Sequence, residues 1–380
     1  MLLKPRYILL LLCYVQLQYT YSQQALDVKW WNPLQNSFPV IEGQGWPDKL
    51  KSGFNRLPKY AEKSVRKRVW DLSRSSAGLS IRFKTNASEI FVRYKVKNQL
   101  SMPHMPTTGV SGVDLYSKSR KGQWLWYNGG LSFGKTINYK FNNLPTDSGA
   151  IYQDIEFYLY LPLYNQVEIL EIGVAENRKF EALPIRENKP IVVYGTSIAQ
   201  GACASRPGMA WTNLLQRKMD IPIINLGFSG NGELEKEVIA LISEIDAEIY
   251  ILDCLPNLIP DENLSLDEVY DRIIISVKYL KQKRPDVPVL LTEHAGYSDA
   301  ATDFNRNNSV SYLNTVLQKA FVDLKSAGIE EIYLLSKDEI NLGVDSYVDG
   351  THPSDLGMLQ YALAYEKYIR KIINKTKSKL

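Results

Sequence analysis

The chain is 380 residues long with 45% hydrophobic content, enough for about two domains with a core each, so wholesale disorder is excluded. A net charge of +4 is too slight for polyanion binding to be the main role, and the basic residues are scattered apart from Arg66, Lys67, Arg68 and a lysine-rich tail. The three cysteines, Cys13, Cys203 and Cys254, are too few for a structural zinc site or a disulfide framework.

At the N-terminus, Lys4 and Arg6 precede an apolar run from Tyr7 to Val15, which turns polar and ends in Thr20, Tyr21 and Ser22. This pattern reads as a cleaved secretory signal over residues 1–22. A membrane anchor needs about 20 apolar residues, roughly twice what the run supplies, so no integral membrane span is expected in the mature chain. Cys13 follows Leu11 and Leu12 rather than a small residue, which argues against lipid attachment. A secreted or periplasmic location follows, leaving Cys203 and Cys254 where a disulfide can persist. Whether they pair is left open.

From about Trp30 to Val174 the apolar residues recur at period two. Leu79, Ile81 and Phe83 form one such run, Ile90, Val92, Tyr94 and Val96 a second, Ile155, Phe157 and Leu159 a third, and Val167 and Ile169 a fourth. Half-buried strands read this way. Asn98, Pro103, Pro106, Gly129-Gly130 and Pro145 punctuate them, so residues 23–185 are expected to form an all-β sandwich of jelly-roll type with no long helix. Trp124, Trp126 and Tyr127 read either as a sugar-stacking stripe or as sandwich core and surface.

Past Pro184 the texture changes. Apolar β-rich runs at Ile191–Tyr194, Ile221–Asn225, Glu248–Leu252, Val287–Thr292 and Glu331–Leu335 alternate with helical stretches at Met209–Lys218, Leu234–Ser243, Leu266–Lys283 and Tyr312–Ala327. A last helix runs from Ser354 to Ile373 with Pro353 at its start. Residues 186–380 therefore read as an α/β domain, a parallel sheet covered by helices on both faces.

Ligands of such sheets bind beyond the carboxyl ends of the strands. There the chain carries Gly195-Thr196-Ser197-Ile198, then Asn225 to Gly232, then Asp253-Cys254-Leu255-Pro256-Asn257. The glycines of the second loop either expose N–H groups to an anion or form a tight turn. Asn257 either serves a site or caps a turn. The decisive element is Asp349-Gly350-Thr351-His352-Pro353: an aspartate three residues before a histidine can orient the imidazole and stabilise its protonated form. A serine hydroxyl needs an adjacent base, so Ser197 and His352 complement each other. Glu293 and His294 follow the fourth strand at the same edge, as candidates for lining the substrate. His104 reads as a surface residue.

On these blocks the second domain resembles the SGNH hydrolases, or GDSL esterase/lipase superfamily. Gly195-Thr196-Ser197-Ile198 is similar to the nucleophile block, Gly230 to the glycine of the second block, Asn257 to the asparagine of the third, and Asp349 with His352 to the D-x-x-H block. The resemblance implies a flavodoxin-like domain with Ser197, His352 and Asp349 as a triad, and an oxyanion hole from the N–H groups of Ser197 and Gly230 and the amide of Asn257. Thr196 and Ile198 replace Asp and Leu, and an Asp-x-x-Pro-Asn context surrounds Asn257, departures that bear on the subfamily.

Gly112-Val113-Asp114-Leu115-Tyr116 resembles the G-x-D-L-Y motif of a β-domain preceding one secreted bacterial branch of these enzymes. Asp114 is either a strand-edge turn residue or a substrate contact. The combination implies a secreted serine esterase acting on O-acetylated polysaccharides or oligosaccharides, with no metal, no cofactor and no nucleic-acid partner. Two alternatives stay open: a lipid or thioester acylhydrolase, and a carbohydrate-binding protein with an incidental hydrolase domain. The sequence does not give the oligomeric state.

Overall fold

The structure, a computed structural model, describes residues 27–119, 121–144 and 155–377. The segment read as a leader lies outside them. Among the described residues, no helix is long and apolar enough to cross a membrane.

The first half is built from β1 (Val28–Trp31), β2 (Ile41–Glu42), α1 (Lys67–Ser73), β3 (Ser80–Thr85), β4 (Ile90–Val96), α2 (Thr107–Val110), β5 (Asp114–Lys118), β6 (Trp124–Tyr127), β7 (Gly129–Ser132), β8 (Ile137–Phe141), β9 (Glu156–Tyr160), β10 (Val167–Ala175) and β11 (Phe180–Ala182). They make two antiparallel sheets, ordered β1-β10-β4-β8-β7 and β11-β3-β9-β5-β6, with β2 added on β3. Ile81 and Phe83 of one sheet share a buried core with Ile90, Val92 and Ile172 of the other. Alternate residues of β4 and β8 face inward, as the period-two pattern requires.

Residues 46–73 depart from this scheme. They contain short 3₁₀ turns and α1, and Trp46, Leu57, Ala61, Val69 and Trp70 pack into the core of the parallel sheet with Tyr194, Phe228 and Val238. Arg56, fully buried in the same segment, donates to the carbonyls of Leu72, Ser75, Asn225 and Gly227 at 2.8–3.0 Å. Burial lowers its pKa to about 9, slightly opposed by Tyr164.

The second half runs β12 (Ile191–Gly195), α3 (Ser197–Gln200), α4 (Trp211–Met219), β13 (Ile223–Gly227), α5 (Lys236–Ile242), β14 (Ile249–Asp253), α6 (Leu266–Lys283), β15 (Val289–Thr292), α7 (Phe304–Ser326), β16 (Ile332–Leu335), α8 (Lys337–Ile340) and α9 (Asp355–Lys377). All five strands are parallel, in the order β13-β12-β14-β15-β16. Alternate residues feed opposite cores. Val192 and Tyr194 pack with α5, α6 and α7, whereas Ile191 and Val193 pack with Trp211 of α4 and Tyr361, Tyr365 and Ile369 of α9. Strands buried on both faces read as continuous apolar runs, which is how they stood in the sequence. The strand order reverses around β12, and at such a switch point ligands of open parallel sheets bind beyond the carboxyl ends of the strands.

Two expectations are refined. Helix α7 starts at Phe304, well before the apolar periodicity at Tyr312, because Asp303 caps it by accepting from the N–H groups of Asn305 and Arg306. Cys203 and Cys254 are free thiols buried in cores on opposite faces of the sheet, so the possible disulfide is absent.

Asp253, at the end of β14, is 1% exposed and accepts from the Tyr365 hydroxyl at 3.0 Å. Burial pushes its carboxyl up to about 7, partly opposed by that hydrogen bond. Because the folded value lies above the unfolded one of about 3.9, its stabilising contribution is full below about pH 4 and is lost as pH rises through about 7. Asp253→Asn, which cannot ionise, is expected to raise Tm by a few degrees at pH 8.5 and to leave it nearly unchanged at pH 4. Thermal unfolding at the two pH values checks this, and an equal shift at both would contradict it.

Candidate active site

Strand β12 ends at Gly195, where an added Cβ would stand 2.7 Å from the Asp253 carbonyl oxygen and 2.8 Å from the Ala199 Cβ. Only glycine allows the chain to turn that tightly into α3. Thr196 caps the helix by accepting from the Ile198 N–H at 3.3 Å, and Ser197 follows as the first helical residue. The Ser197 Oγ lies 2.8 Å from His352 Nε2. His352 Nδ1 lies 2.7 Å from Asp349 Oδ2, and Asp349 Oδ1 accepts from the N–H groups of His352 at 2.8 Å and Thr351 at 3.1 Å.

Burial pulls the Asp349 carboxyl upward, but the hydrogen bonds and charge of His352 outweigh it and hold the group below the usual carboxylate value. An ionised carboxylate only accepts, so Nδ1 carries the proton and Nε2 is free to take one from the Ser197 hydroxyl. The arrangement can activate a serine oxygen as a nucleophile.

Glycines and side-chain amides crowd the adjoining loops. Gly232 lies against Gly195, where a Cβ would meet the Gly195 oxygen at 2.1 Å. Gly230 takes a φ of +62° with open space on its Cβ side. Asn257 closes the turn after β14 and donates its amide to the Asn231 carbonyl. Arg56, by holding the Asn225 and Gly227 carbonyls, anchors the base of the Gly230 loop.

The D-x-x-H loop is held from outside. Arg306 donates to Thr351 Oγ1 at 2.6 Å, pairs with Asp299 at 2.7 Å and lies over the Tyr297 ring at 3.9 Å. The Ser298 N–H donates to the Gly350 carbonyl at 3.1 Å. From the sandwich side, the His104 ring stacks on His352 with centroids 5.7 Å apart.

A family model described as the GDSL-like lipase/acylhydrolase family matches residues 188–370, and the GxDLY model, described as the N-terminus of SGNH-hydrolase-type esterases, matches residues 28–180. A crystal structure from Bacteroides ovatus ATCC 8483, assigned as a GDSL-like lipase, is 31% identical with a TM-score of 0.82, the alignment covering 92% of this chain and 98% of that one. The chain belongs to the GDSL-like hydrolase family. The salicylyl-acyltransferase SsfX3 from a tetracycline biosynthetic pathway shares the fold at 16% identity and a TM-score of 0.74, covering 91% of this chain and 97% of that one. So does the acetyl xylan esterase Est2A from Butyrivibrio proteoclasticus, at 10% identity and a TM-score of 0.52, covering 91% and 99%. No curated protein sequence matches significantly.

In this GDSL-like hydrolase the G-x-D-L-Y segment acts as a lock between the sandwich and the parallel-sheet half. At Gly112 a Cβ would lie 2.3 Å from the Thr108 carbonyl oxygen. Asp114, 3% exposed, accepts from Trp126 Nε1 at 2.6 Å, from the Gly208 N–H at 2.9 Å and from Arg206 at 2.5 Å. Leu115 enters the sandwich core, while Tyr116 lies under the Arg217 guanidinium at 4.0 Å. Trp124 and Trp126 belong to the same lock: Trp124 donates to the Arg217 carbonyl and Trp126 stacks with Arg206 at 4.6 Å.

Glu293 and His294 are likewise held by the protein itself. Glu293 accepts from Gln318 at 2.6 Å and from the Lys337 N–H at 2.7 Å, anchoring α8. His294 is 2% exposed, accepts from the Gly296 N–H through Nδ1, and exchanges hydrogen bonds with Asn314. Burial, then Lys337 and Arg306, lower its pKa to about 3, so it is neutral. The contacts described for Asp114, Glu293 and His294 do not reach Ser197 or His352.

The thiols are poor nucleophiles. Burial, then the charge of Asp349, push Cys203 up to about 12, and burial first of all raises Cys254 well above the ordinary thiol value. Arg306 escaped the sequence reading, and His104 reads there only as a surface residue, since neither stands in a motif. The isolated arginine in a polar helix start, Asn305 to Ser309, gave no periodic signal.

Proposed function

We propose that this GDSL-like hydrolase is an exported serine esterase that removes O-acetyl groups from polysaccharides or oligosaccharides. The hydrogen-bonded series Ser197–His352–Asp349 carries the reading. Ser197 Oγ attacks the ester carbonyl as His352 Nε2 takes its proton, forming a tetrahedral oxyanion. His352 then protonates the leaving sugar alkoxide, and an acetyl-enzyme remains. Water attacks the acetyl-enzyme with His352 again as base, releasing acetate and restoring Ser197. Asp349 holds the tautomer and the imidazolium charge throughout.

The oxyanion is assigned to the N–H groups of Ser197 and Gly230 and the amide of Asn257, which stand in the segments following β12, β13 and β14. Asn257→Ala is expected to lower kcat by roughly two to three orders of magnitude with little change in KM, because the charge it serves is absent from the bound substrate. Steady-state kinetics checks this. A change confined to KM would return Asn257 to a turn-forming role.

The choice of an acetylated carbohydrate draws on the family resemblance and on the acetyl xylan esterase, which shares the fold and whose name states its substrate. Export rests on the leader pattern of residues 1–22. Acetate release from a panel of acetylated oligosaccharides, run beside octanoyl esters, tests the substrate. Faster turnover of octanoyl esters would favour a lipid acylhydrolase, and saccharide binding without acetate release would favour a binding protein.

A further inference from the structure

We propose that His104, Cys203, Asp349 and His352 together form a binding site for a soft divalent cation of the zinc class, and that filling it switches the catalytic relay off. The consequence for activity rests on the serine-esterase reading; the binding does not.

One ligand atom from each of the four residues lies within 4.8 Å of all the others. Tetrahedral zinc, with bonds of about 2.0–2.1 Å to nitrogen or oxygen and about 2.3 Å to sulfur, sets its ligands about 3.3–3.8 Å apart. A pair at that limit has to close by about 1.0–1.5 Å. Two imidazoles, a thiol and a carboxylate suit zinc, cadmium or cobalt and are a poor match for magnesium or calcium, which want oxygen ligands.

The four residues come from three separate chain segments already fixed against one another. His104 sits in a tight turn closed by paired hydrogen bonds between Met102 and Met105, and its carbonyl accepts from the Cys203 thiol at 3.3 Å. Its ring lies parallel to that of His352 within 21°. Cys203 forms the buried floor, while His104 is half-buried and the side chains of Asp349 and His352 are 33% and 19% exposed. A cation therefore enters from solvent and meets the thiol last. On binding, the thiol gives its proton to solvent and the metal–sulfur bond forms.

Coordination is incompatible with the relay whichever imidazole nitrogen takes the metal. His352 Nε2 is the atom bonded to Ser197 Oγ, and Nδ1 is the atom bonded to Asp349. The sandwich half supplies His104, so the cation also ties the two halves of the chain together beside the catalytic histidine.

The test uses the full mature chain carrying Ser197→Ala, which keeps all four ligands. Zinc is titrated in competition with a chromogenic chelator, and cobalt(II) serves as an absorbing stand-in. Expected are one zinc per chain, a thiolate-to-cobalt charge-transfer band that Cys203→Ser abolishes, and an affinity at least tenfold weaker in Cys203→Ser and in His104→Gln. Serine preserves the hydrogen bond to the His104 carbonyl, and His104 sits half-buried in a surface turn closed by backbone hydrogen bonds that do not involve its side chain, so both variants are expected to fold. Equal zinc affinity in the parent and both variants, or cobalt binding with no sulfur band, would overturn the site. In the wild-type chain, zinc is expected to inhibit ester hydrolysis reversibly, with EDTA restoring the rate and magnesium having no effect. Stoichiometric binding at the four residues with undiminished hydrolysis would overturn the switch alone, and an inactive chain that still binds zinc would count against the esterase reading alone.

Discussion

Ser197→Ala is expected to lower kcat for ester hydrolysis by roughly 10⁵–10⁶-fold while leaving Tm unchanged, because in the proposed mechanism the Ser197 oxygen forms the covalent acyl bond. Its loss removes a single hydrogen bond, to His352. The backbone that surrounds it is set by Gly195, the Thr196 cap and the Tyr164 hydroxyl on the Ser197 carbonyl, none of which depends on Oγ. Activity within tenfold of wild type would contradict the assignment. A large fall in Tm would show that Ser197 carries structure as well.

The second large effect is at Asp349. In Asp349→Asn the amide replaces an ionised acceptor that now receives three hydrogen bonds, from Nδ1 and from the N–H groups of His352 and Thr351. An Asn NH₂ facing Nδ1 donates where the carboxylate accepted, favouring the tautomer with its proton on Nε2, pointed at the serine. A fall in kcat of about 10⁴-fold is expected. The loss should fall on kcat with KM little changed, since Asp349 acts through the His352 ring it hydrogen-bonds. A kcat within tenfold of wild type would show that Asp349 does not act on His352. The depressed Asp349 pKa also ties stability to pH: its contribution is present above the unfolded carboxylate value of about 3.9 and fades as pH falls through the lower folded value. In Asp349→Asn that part of the acid sensitivity should disappear.

Much of the fold stood in the sequence because its signals are local. The five parallel strands read as apolar runs because each is buried on both faces, and α6 was bounded correctly at Leu266–Lys283 because Ser265 and Glu268 form a capping box there. What local pattern cannot carry is which core a segment joins. Residues 46–73 lie within the stretch read as sandwich, yet Trp46, Leu57 and Trp70 pack under the parallel sheet. That choice is made by long-range partners, among them the carbonyls of Asn225 and Gly227 that Arg56 reaches.

The site divides in the same way. Ser197, Asp349 and His352 stand in short blocks whose chemistry is intelligible in one dimension, and their side chains are hydrogen-bonded to one another in three. Asp114, Glu293 and His294 were placed at the correct sheet edge or motif, but their partners are protein groups that sequence position does not disclose. The sequence reads His104 as a surface residue, and in the fold it is half-buried. Only the folded chain lays its ring on His352, 248 positions away along the sequence.

Peptide mass spectrometry after reaction with a fluorophosphonate tests the central claim most directly. A stoichiometric adduct on the peptide containing Ser197, blocked by Ser197→Ala and slowed strongly in Asp349→Asn, is the expected result. No adduct, or one on a residue other than Ser197, would contradict the account.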